Sequence, residues 1–447
     1  MRRAVGPLLA VTVALVLADS AVVTLALPDI LRHLDATVGQ VAWVLISFNL
    51  VLGLAAVPAA LAFTRPQPRI VTAVGIAVFA GASAWCATAD SIDGLVAARC
   101  VQALGGALAL LGCLELLVKE YGERRGVAVW VTAGVVGTAT GPVAGGLLTQ
   151  LISWQAIFVV QVPFAVLAVP AALAVNAAPE RSPDRHRPAL RPNLTLALLS
   201  AALTAALFLL VLLLVEGWQH SPAAAALTVS VVPVAALAAG PLARLLKPPP
   251  QVEVATGCFL IAGGLVGLAL LPSADLVWTI APQALVGLGL GLTIDRLTSQ
   301  AMDMRLPRVR HAGWTIGARH LGVVVGLAIL TPVFTADLRD AEVPAQEAIT
   351  SLVLDAPLES QDKIALAKAL GRELLQQEGQ VPDLHRAFES VDVEPEDRPA
   401  LAQLERDLEA QLERAATRAF RDSFLIGAGL ALLALLTVIA PRRRAAP

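Results

Sequence analysis

Four ionisable residues stand inside stretches that are otherwise apolar: Asp19, Arg99, Glu115 and Arg319. Asp19 lies near the middle of its stretch, where an ionised carboxylate costs on the order of 3 kcal/mol on membrane-insertion scales, so it must be paired, wetted or protonated. Low dielectric disfavours a carboxylate's charge and a nearby cation favours it, so such a group can load and release a proton as water access alternates between two sides. Asp19 is therefore the first candidate for proton coupling; the alternative is a static cap or polar pair. Arg99 is a natural partner whose permanent charge suits it to tune a carboxylate and not to carry the proton itself. Gln102, one helical turn on, adds hydrogen-bonding capacity on the same face; both residues would serve equally in a static polar cluster. Glu115, nearer the end of its stretch, reads as a second proton site or an interfacial charge. Arg319 either contacts an anionic group or binds carbonyls between helices. Asp295 and Arg296, at the end of another stretch, fit snorkelling or a local ion pair.

Other chemistries find no footing. The chain has no GxxxxGK[ST] loop, no HExxH and no CxxC pair, and its single serines and histidines stand without supporting partners. This points away from an enzyme, a bound metal or an organic cofactor. A proton gradient is the expected energy source, since one charge crossing the membrane potential yields about 2.3 kcal/mol per 100 mV.

The elements that position these residues follow from composition: 57% hydrophobic, 15% charged, mean hydropathy +0.72, outside the range of soluble domains. A spanning helix needs roughly 20 mostly apolar residues, and twelve such runs are present. They are Pro7–Pro28, Val41–Phe63, Ile70–Thr88, Gly94–Val118, Gly126–Leu148, Ala156–Val175, Asn193–Val215, Ala223–Leu246, Val254–Leu271, Leu276–Ile294, Ala312–Phe334 and Ser423–Ala440. The basic start and apolar run at the N-terminus resemble a secretory signal, but Asp19 and the many further runs favour a first span. Cys86, Cys100, Cys113 and Cys258 fall in apolar stretches and read as small buried hydrophobes.

Orientation comes from the short loops. Arg2, Arg3, Arg65, Arg69, Lys119, Arg124, Arg125, Arg181, Arg185, Arg187, Arg191, Arg244, Lys247, Arg305, Arg308, Arg310 and Arg442 to Arg444 fall on one side, and Arg32 is the sole basic residue in the short loops opposite. The positive-inside rule then places both termini in the cytoplasm. The seven tryptophans sit near predicted helix ends, as interfacial rings do. The composition, rich in alanine, valine, leucine and arginine, suggests a bacterial inner-membrane protein. The predicted organisation is an all-α membrane protein: an N-terminal six-helix bundle (1–176), a basic linker (177–192), helices 7–11 of a second bundle (193–334), a helical extracytoplasmic loop (335–422), and helix 12 with a tail (423–447). Nineteen of the 35 acidic residues lie between Thr335 and Arg421 of that loop, where Leu401, Leu404, Leu408 and Leu412 recur at helical spacing. Two or three amphipathic helices are expected there, forming either an acidic cap over the outer mouth or an inert insertion.

Gly134, Gly137, Gly141 and Gly145 share one helix face, over which another helix can approach closely; Pro142 should bend that helix. Gly137-x-x-x-Gly141-Pro142-x-x-Gly145-Gly146 resembles the antiporter motif of the fifth helix in drug:proton antiporters of the major facilitator superfamily. Arg99-x-x-Gln102-x-x-Gly105-Gly106-Ala107 resembles that family's basic motif, and Asp19 to Pro28 its first-helix signature. Trp154-x-x-x-Phe158 with Pro163, and Ala312-Gly313 through Arg319-x-x-Gly322-x-x-x-Gly326, fit the same pattern. The stretch Thr64 to Arg69 departs from it, lacking the glycines and aspartate of the family's cytoplasmic gating motif, and the branch usually has fourteen spans where twelve are counted here.

The resemblance implies a major facilitator fold, two six-helix bundles that exchange a substrate for protons by alternating access, with Asp19 coupling the proton and the glycine face and Arg319 shaping the path. Export of a hydrophobic or amphiphilic compound is expected, the largely apolar cavity suiting lipophilic or weakly cationic cargo better than sugars. Expected partners are that small molecule, protons and the bilayer, acting with a monomer and no nucleic acid. Lipid entering sideways under the outer loop, and a non-cycling sensor or scaffold, are the competing functions.

Overall fold

The computed structural model describes residues 2–63, 67–177, 187–302, 305–376, 387–388, 390 and 397–439. Arg65, Arg181, Arg185, Arg442 to Arg444 and most of the linker lie outside them. Every described element is helical, as expected where a bilayer core cannot satisfy open backbone groups. The elements are α1 (Arg2–His33), α2 (Val38–Ala62), α3 (Pro68–Ala87), α4 (Ile92–Tyr121), α5 (Glu123–Leu151) and α6 (Ala156–Ala174) in the first half. The second half has α7 (Leu190–Gly217), α8 (Pro222–Leu246), α9 (Pro250–Ala269), α10 (Leu276–Met302), α11 (Arg308–Asp355), α12 (Ser360–Gln376), α13 (Arg398–Ala419) and α14 (Arg421–Ile439). Among the described residues twelve helices are long and apolar enough to cross a membrane, α12 and α13 forming the insertion between the last two spans.

Helix starts are set by local chemistry. Thr37 and Gln40 form a reciprocal capping box at α2, while Ser91 caps α4, and Ser221 followed by Pro222 opens α8. The helix α5 runs unbroken through Pro142. Two π-helical stretches, Ala205–Leu209 and Leu213–Gly217, interrupt α7.

The halves pack as two bundles, α1 to α6 and α7 to α11 with α14, meeting along a seam where α2 faces α11 and α5 faces α8. The glycine face of α5 lies on α1: a methyl on Gly137 or Gly145 would overlap the carbonyl of Ala14 or Val22, and one on Gly141 would stand 2.9 Å from Ala21 Cβ. In the second half Gly322 and Gly326 of α11 meet Ala197 and Ala201 of α7 in the same manner, a repeat of the α1–α5 contact. Away from the basic loops one apolar core joins both halves through Leu25, Ile30, Leu209, Leu213 and Val229; toward them, Met302, Val309, Ala312 and Ile316 join the core of the first bundle.

Two features differ from the sequence reading, the length of α11 and the burial of three tryptophans. Apolar character fades near Phe334, but α11 continues to Asp355, so the insertion grows out of a spanning helix. Hydropathy marks where the solvent changes and not where a helix ends. The insertion has its own core, in which Leu404 and Leu408 are buried with Leu366, Leu370 and Phe388, and Leu401 and Leu412 pack alongside. Of the tryptophans, Trp43, Trp85, Trp278 and Trp314 are exposed, whereas Trp130, Trp154 and Trp218 are buried; Trp130 donates to Leu110 O and Trp218 to Thr417 Oγ1, contacts that outcompete the interface. Cys86, Cys113 and Cys258 are buried and Cys100 partly so.

Candidate functional site

Asp19, Arg99 and Gln102 come together inside the first bundle, and none has any solvent exposure. One terminal nitrogen of Arg99 donates to Asp19 Oδ2 and to Gln102 Oε1 (2.6 Å), and Nε donates to Val44 O of α2 (3.3 Å). The guanidinium carbon sits 4.1 Å from the centroid of Phe48 and 5.8 Å from that of Phe158, a cation held by two ring faces. Asp19 Oδ1 accepts from Gln161 Nε2 (2.8 Å) and Gln102 Nε2 (3.2 Å), and Gln102 also donates to Ser83 Oγ (2.9 Å). Five helices thus converge on one carboxylate: α1 carries it, α4 the cation, and α2, α3 and α6 the outer hydrogen-bond shell. Two buried charges offset their desolvation only with good geometry and further hydrogen bonds; the cluster supplies several such bonds, while the second terminal nitrogen of Arg99 is buried without one. Gln161 and Ser83 were not singled out from the sequence; the available signal for Gln161 is a lone amide in the apolar run of α6.

A second polar group bridges the seam. His320 Nδ1 lies 2.8 Å from Asn49 Oδ1, which also accepts from Ser20 Oγ (3.4 Å), while Asn49 Nδ2 donates to Leu45 O (2.8 Å). With the amide nitrogen of Asn49 so engaged, the His320 ring must donate through Nδ1. One residue before it, Arg319 lines a cavity of about 20 Å³ between the bundles, together with Leu17, Trp130, Gly134, Thr298 and His320. That volume holds water and no drug-sized ligand, since ligand pockets run to roughly 300–1,000 Å³.

Both ends of the seam are tied. At the basic end Arg308 of α11 meets Glu123 of α5 (2.8 Å) and Glu115 of α4 (3.8 Å), and Arg305 donates to Arg187 O (2.7 Å). Glu115 therefore sits at the seam facing a cation of the other bundle. At the far end Arg32 of α1 reaches Glu216 of α7 (3.6 Å), and Ala223 N of α8 donates to Gln150 of α5 (2.6 Å). Gly137, Gly141, Pro142 and Gly145 are all buried, the three glycines against α1 and away from the cavity. Asp295 is exposed, and Arg296 pairs with Glu253 at 2.6 Å. Among the described residues no cluster of three or more His, Cys, Asp or Glu side chains is arranged to hold a metal ion.

Known proteins resemble this arrangement at two levels. A tetracenomycin C resistance and export protein of Streptomyces glaucescens is 35% identical over 178 residues, 39% of this chain and 33% of the relative. A methylenomycin A resistance protein of Bacillus subtilis is 32% identical over 32% of each chain, and the multidrug resistance protein Stp of Mycobacterium tuberculosis is 32% identical over 33% of this chain and 28% of its own. The matches thus span about a third of these relatives' length. In three dimensions the chain follows a bacterial homologue of the human lysosomal transporter Spinster, in its inward-facing, unoccupied form, with a TM-score of 0.62 over 98% of this chain and 97% of that one at 15% identity, a likeness of fold alone. Residues 9–331 match the Major Facilitator Superfamily, and the chain belongs to that family.

Proposed function

We propose that this protein is a proton-coupled secondary transporter that exports a hydrophobic or amphiphilic small molecule by alternating access. The observation that carries the reading is the fully buried Asp19 held by Arg99, Gln102 and Gln161. Protonating Asp19 cancels the attraction that ties α1 to α4 and leaves the Arg99 charge to its hydrogen bonds with Gln102 and Val44 and to the ring faces of Phe48 and Phe158. Because α1 also meets α5 along its glycine face, a shift of α1 is passed to the helix that closes on α8. The two tied ends of the seam are what an alternating-access cycle must open in turn. Export is favoured by the relatives described as resistance and export proteins.

In this reading a monomer works in a bacterial inner membrane, with no cofactor beyond the proton gradient. The basic end, carrying Lys119, Arg124, Arg125, Arg244 and Lys247, faces the cytoplasm with both termini, and the insertion faces outward. The experiment is proton movement in sealed vesicles, native protein against Asp19→Asn, while a panel of lipophilic ions and dyes is added. Cargo-dependent proton flux that disappears in the variant supports the reading. Flux that survives Asp19→Asn removes the proton from this site.

A further inference from the structure

The arginines that penetrate furthest into the bundles or span the seam are compensated by carboxylates: Arg99 by Asp19, Arg308 by Glu123 and Glu115, Arg32 by Glu216. Arg319 is the contrast. It sits well inside the membrane-spanning part of α11, is only partly exposed, and lines the cavity between the bundles. Among the described residues its guanidinium makes no hydrogen bond and has no carboxylate within ion-pair distance. No other lining residue carries a fixed charge: α1 contributes Leu17, α5 Trp130, Val131, Gly134 and Val135, and α10 Ile294 and Thr298. The remaining titratable group is His320, whose Nδ1 already donates to Asn49. Asp19 does not balance the cavity, because its charge is spent on Arg99 within the first bundle. A guanidinium in an apolar, low-dielectric enclosure without a protein counter-ion is a strong attractor for an anion, and its planar fork matches carboxylates and sulfonates bidentately.

We propose that the wall around Arg319, once the bundles part beyond the about 20 Å³ enclosed here, recognises an amphiphilic monoanion, its charged group on Arg319 and its apolar body against Leu17, Trp130 and Ile316. This rests on the transport reading above and replaces its lean toward weakly cationic cargo. The binding step is separable from transport, so it is tested by equilibrium binding. Full-length protein in phosphatidylcholine nanodiscs is titrated with anthracene-9-carboxylate, with the equal-sized cation 9-anthracenylmethylammonium and with neutral 9-anthracenemethanol, read by energy transfer from tryptophan.

The carboxylate should bind roughly 10- to 100-fold more tightly than the ammonium compound, the span expected of one charge-assisted contact. Arg319→Gln should erase that preference, and Arg319→Lys should retain part of it. Exchanging phosphatidylcholine for phosphatidylglycerol and finding the carboxylate displaced would assign the anion to a lipid headgroup, and no displacement would assign it to a free molecule; both keep the anion site. Equal or tighter binding of the cation by the native protein overturns the proposal with no variant needed, as does carboxylate affinity that is unmoved in Arg319→Gln. Either result leaves proton coupling at Asp19 to be judged by the vesicle flux alone.

Discussion

Removing the Arg308 side chain should unlatch one end of the protein. Arg308, with 13% of its side chain exposed, reaches Glu123, which is 70% exposed, at 2.8 Å, and Glu115, which is 9% exposed, at 3.8 Å. The Glu123 contact is largely solvated and contributes about 0–1 kcal/mol. The Glu115 contact is longer but better shielded from water, and we assign it a further ~1 kcal/mol, well below the cost of breaking a fully buried pair. Together they hold the closed basic end by about 1–2 kcal/mol, which corresponds to a roughly 5- to 30-fold shift in the open-to-closed ratio when lost. The assay is alkylation of Thr298→Cys, on the cavity wall, by a membrane-impermeant maleimide applied to the basic side. The rate should rise by about that factor in Arg308→Ala, by less in Glu123→Gln, and partway in the native protein at high salt, where the exposed partner is screened. A double-mutant cycle of Arg308 with Glu115 should give a non-zero coupling. An unchanged rate in Arg308→Ala, or faster labelling only from the opposite side, would refute the latch.

Three more outcomes follow from the packing. Gly137→Leu should destabilise the α1–α5 contact by about 1–3 kcal/mol or prevent assembly, whereas Gly81→Ala and Gly263→Ala, where an added methyl meets nothing within 4 Å, should leave the unfolding midpoint in detergent unchanged or slightly higher. Arg99→Lys keeps the charge but cannot reproduce the simultaneous contacts with Asp19, Gln102, Val44 O and the Phe48 ring; cargo-driven proton flux should fall well below native, and flux at the native rate would show that only the charge is needed. Trp218→Phe removes the hydrogen bond from α7 to Thr417 of α13 and should cost about 0.5–1.5 kcal/mol, seen as earlier proteolysis of the insertion, with the spanning core unaffected.

The sequence made some of this legible because the bilayer imposes strict rules. Twelve runs of the required length survive any shift of their ends by a few residues, and Asp19, Arg99 and Gln102 stand out since each is expensive where it lies. Gln161 and Ser83 are cheap enough in an apolar run to pass unnoticed, and only folding shows that both face the Asp19 cluster. The bridge between His320 and Asn49 depends on how α2 meets α11 across the seam, and no local pattern encodes that meeting. Arg308 reads in sequence as one more basic loop residue. The stretch after α2 lacks the glycines and aspartate of the family's gating motif, and at the same end Arg308 of α11 pairs instead with Glu123 of α5 and Glu115 of α4, contacts that no local pattern encodes.

The continuation of α11 beyond the apolar zone has a mechanical meaning. From Asp337 to Asp355 the helix adds 18 residues, or about 27 Å at 1.5 Å per residue. Its partner α13 feeds into α14 across the single residue Phe420, and Trp218 pins α13 to the end of α7. The insertion is thereby mounted on three helices of one bundle, like a needle fixed to a turning hub. A rock of the second bundle by about 10° sweeps the tip of a ~27 Å arm through roughly 5 Å. Dyes on the needle and on the α1–α2 turn would read the hub's position without touching the cavity.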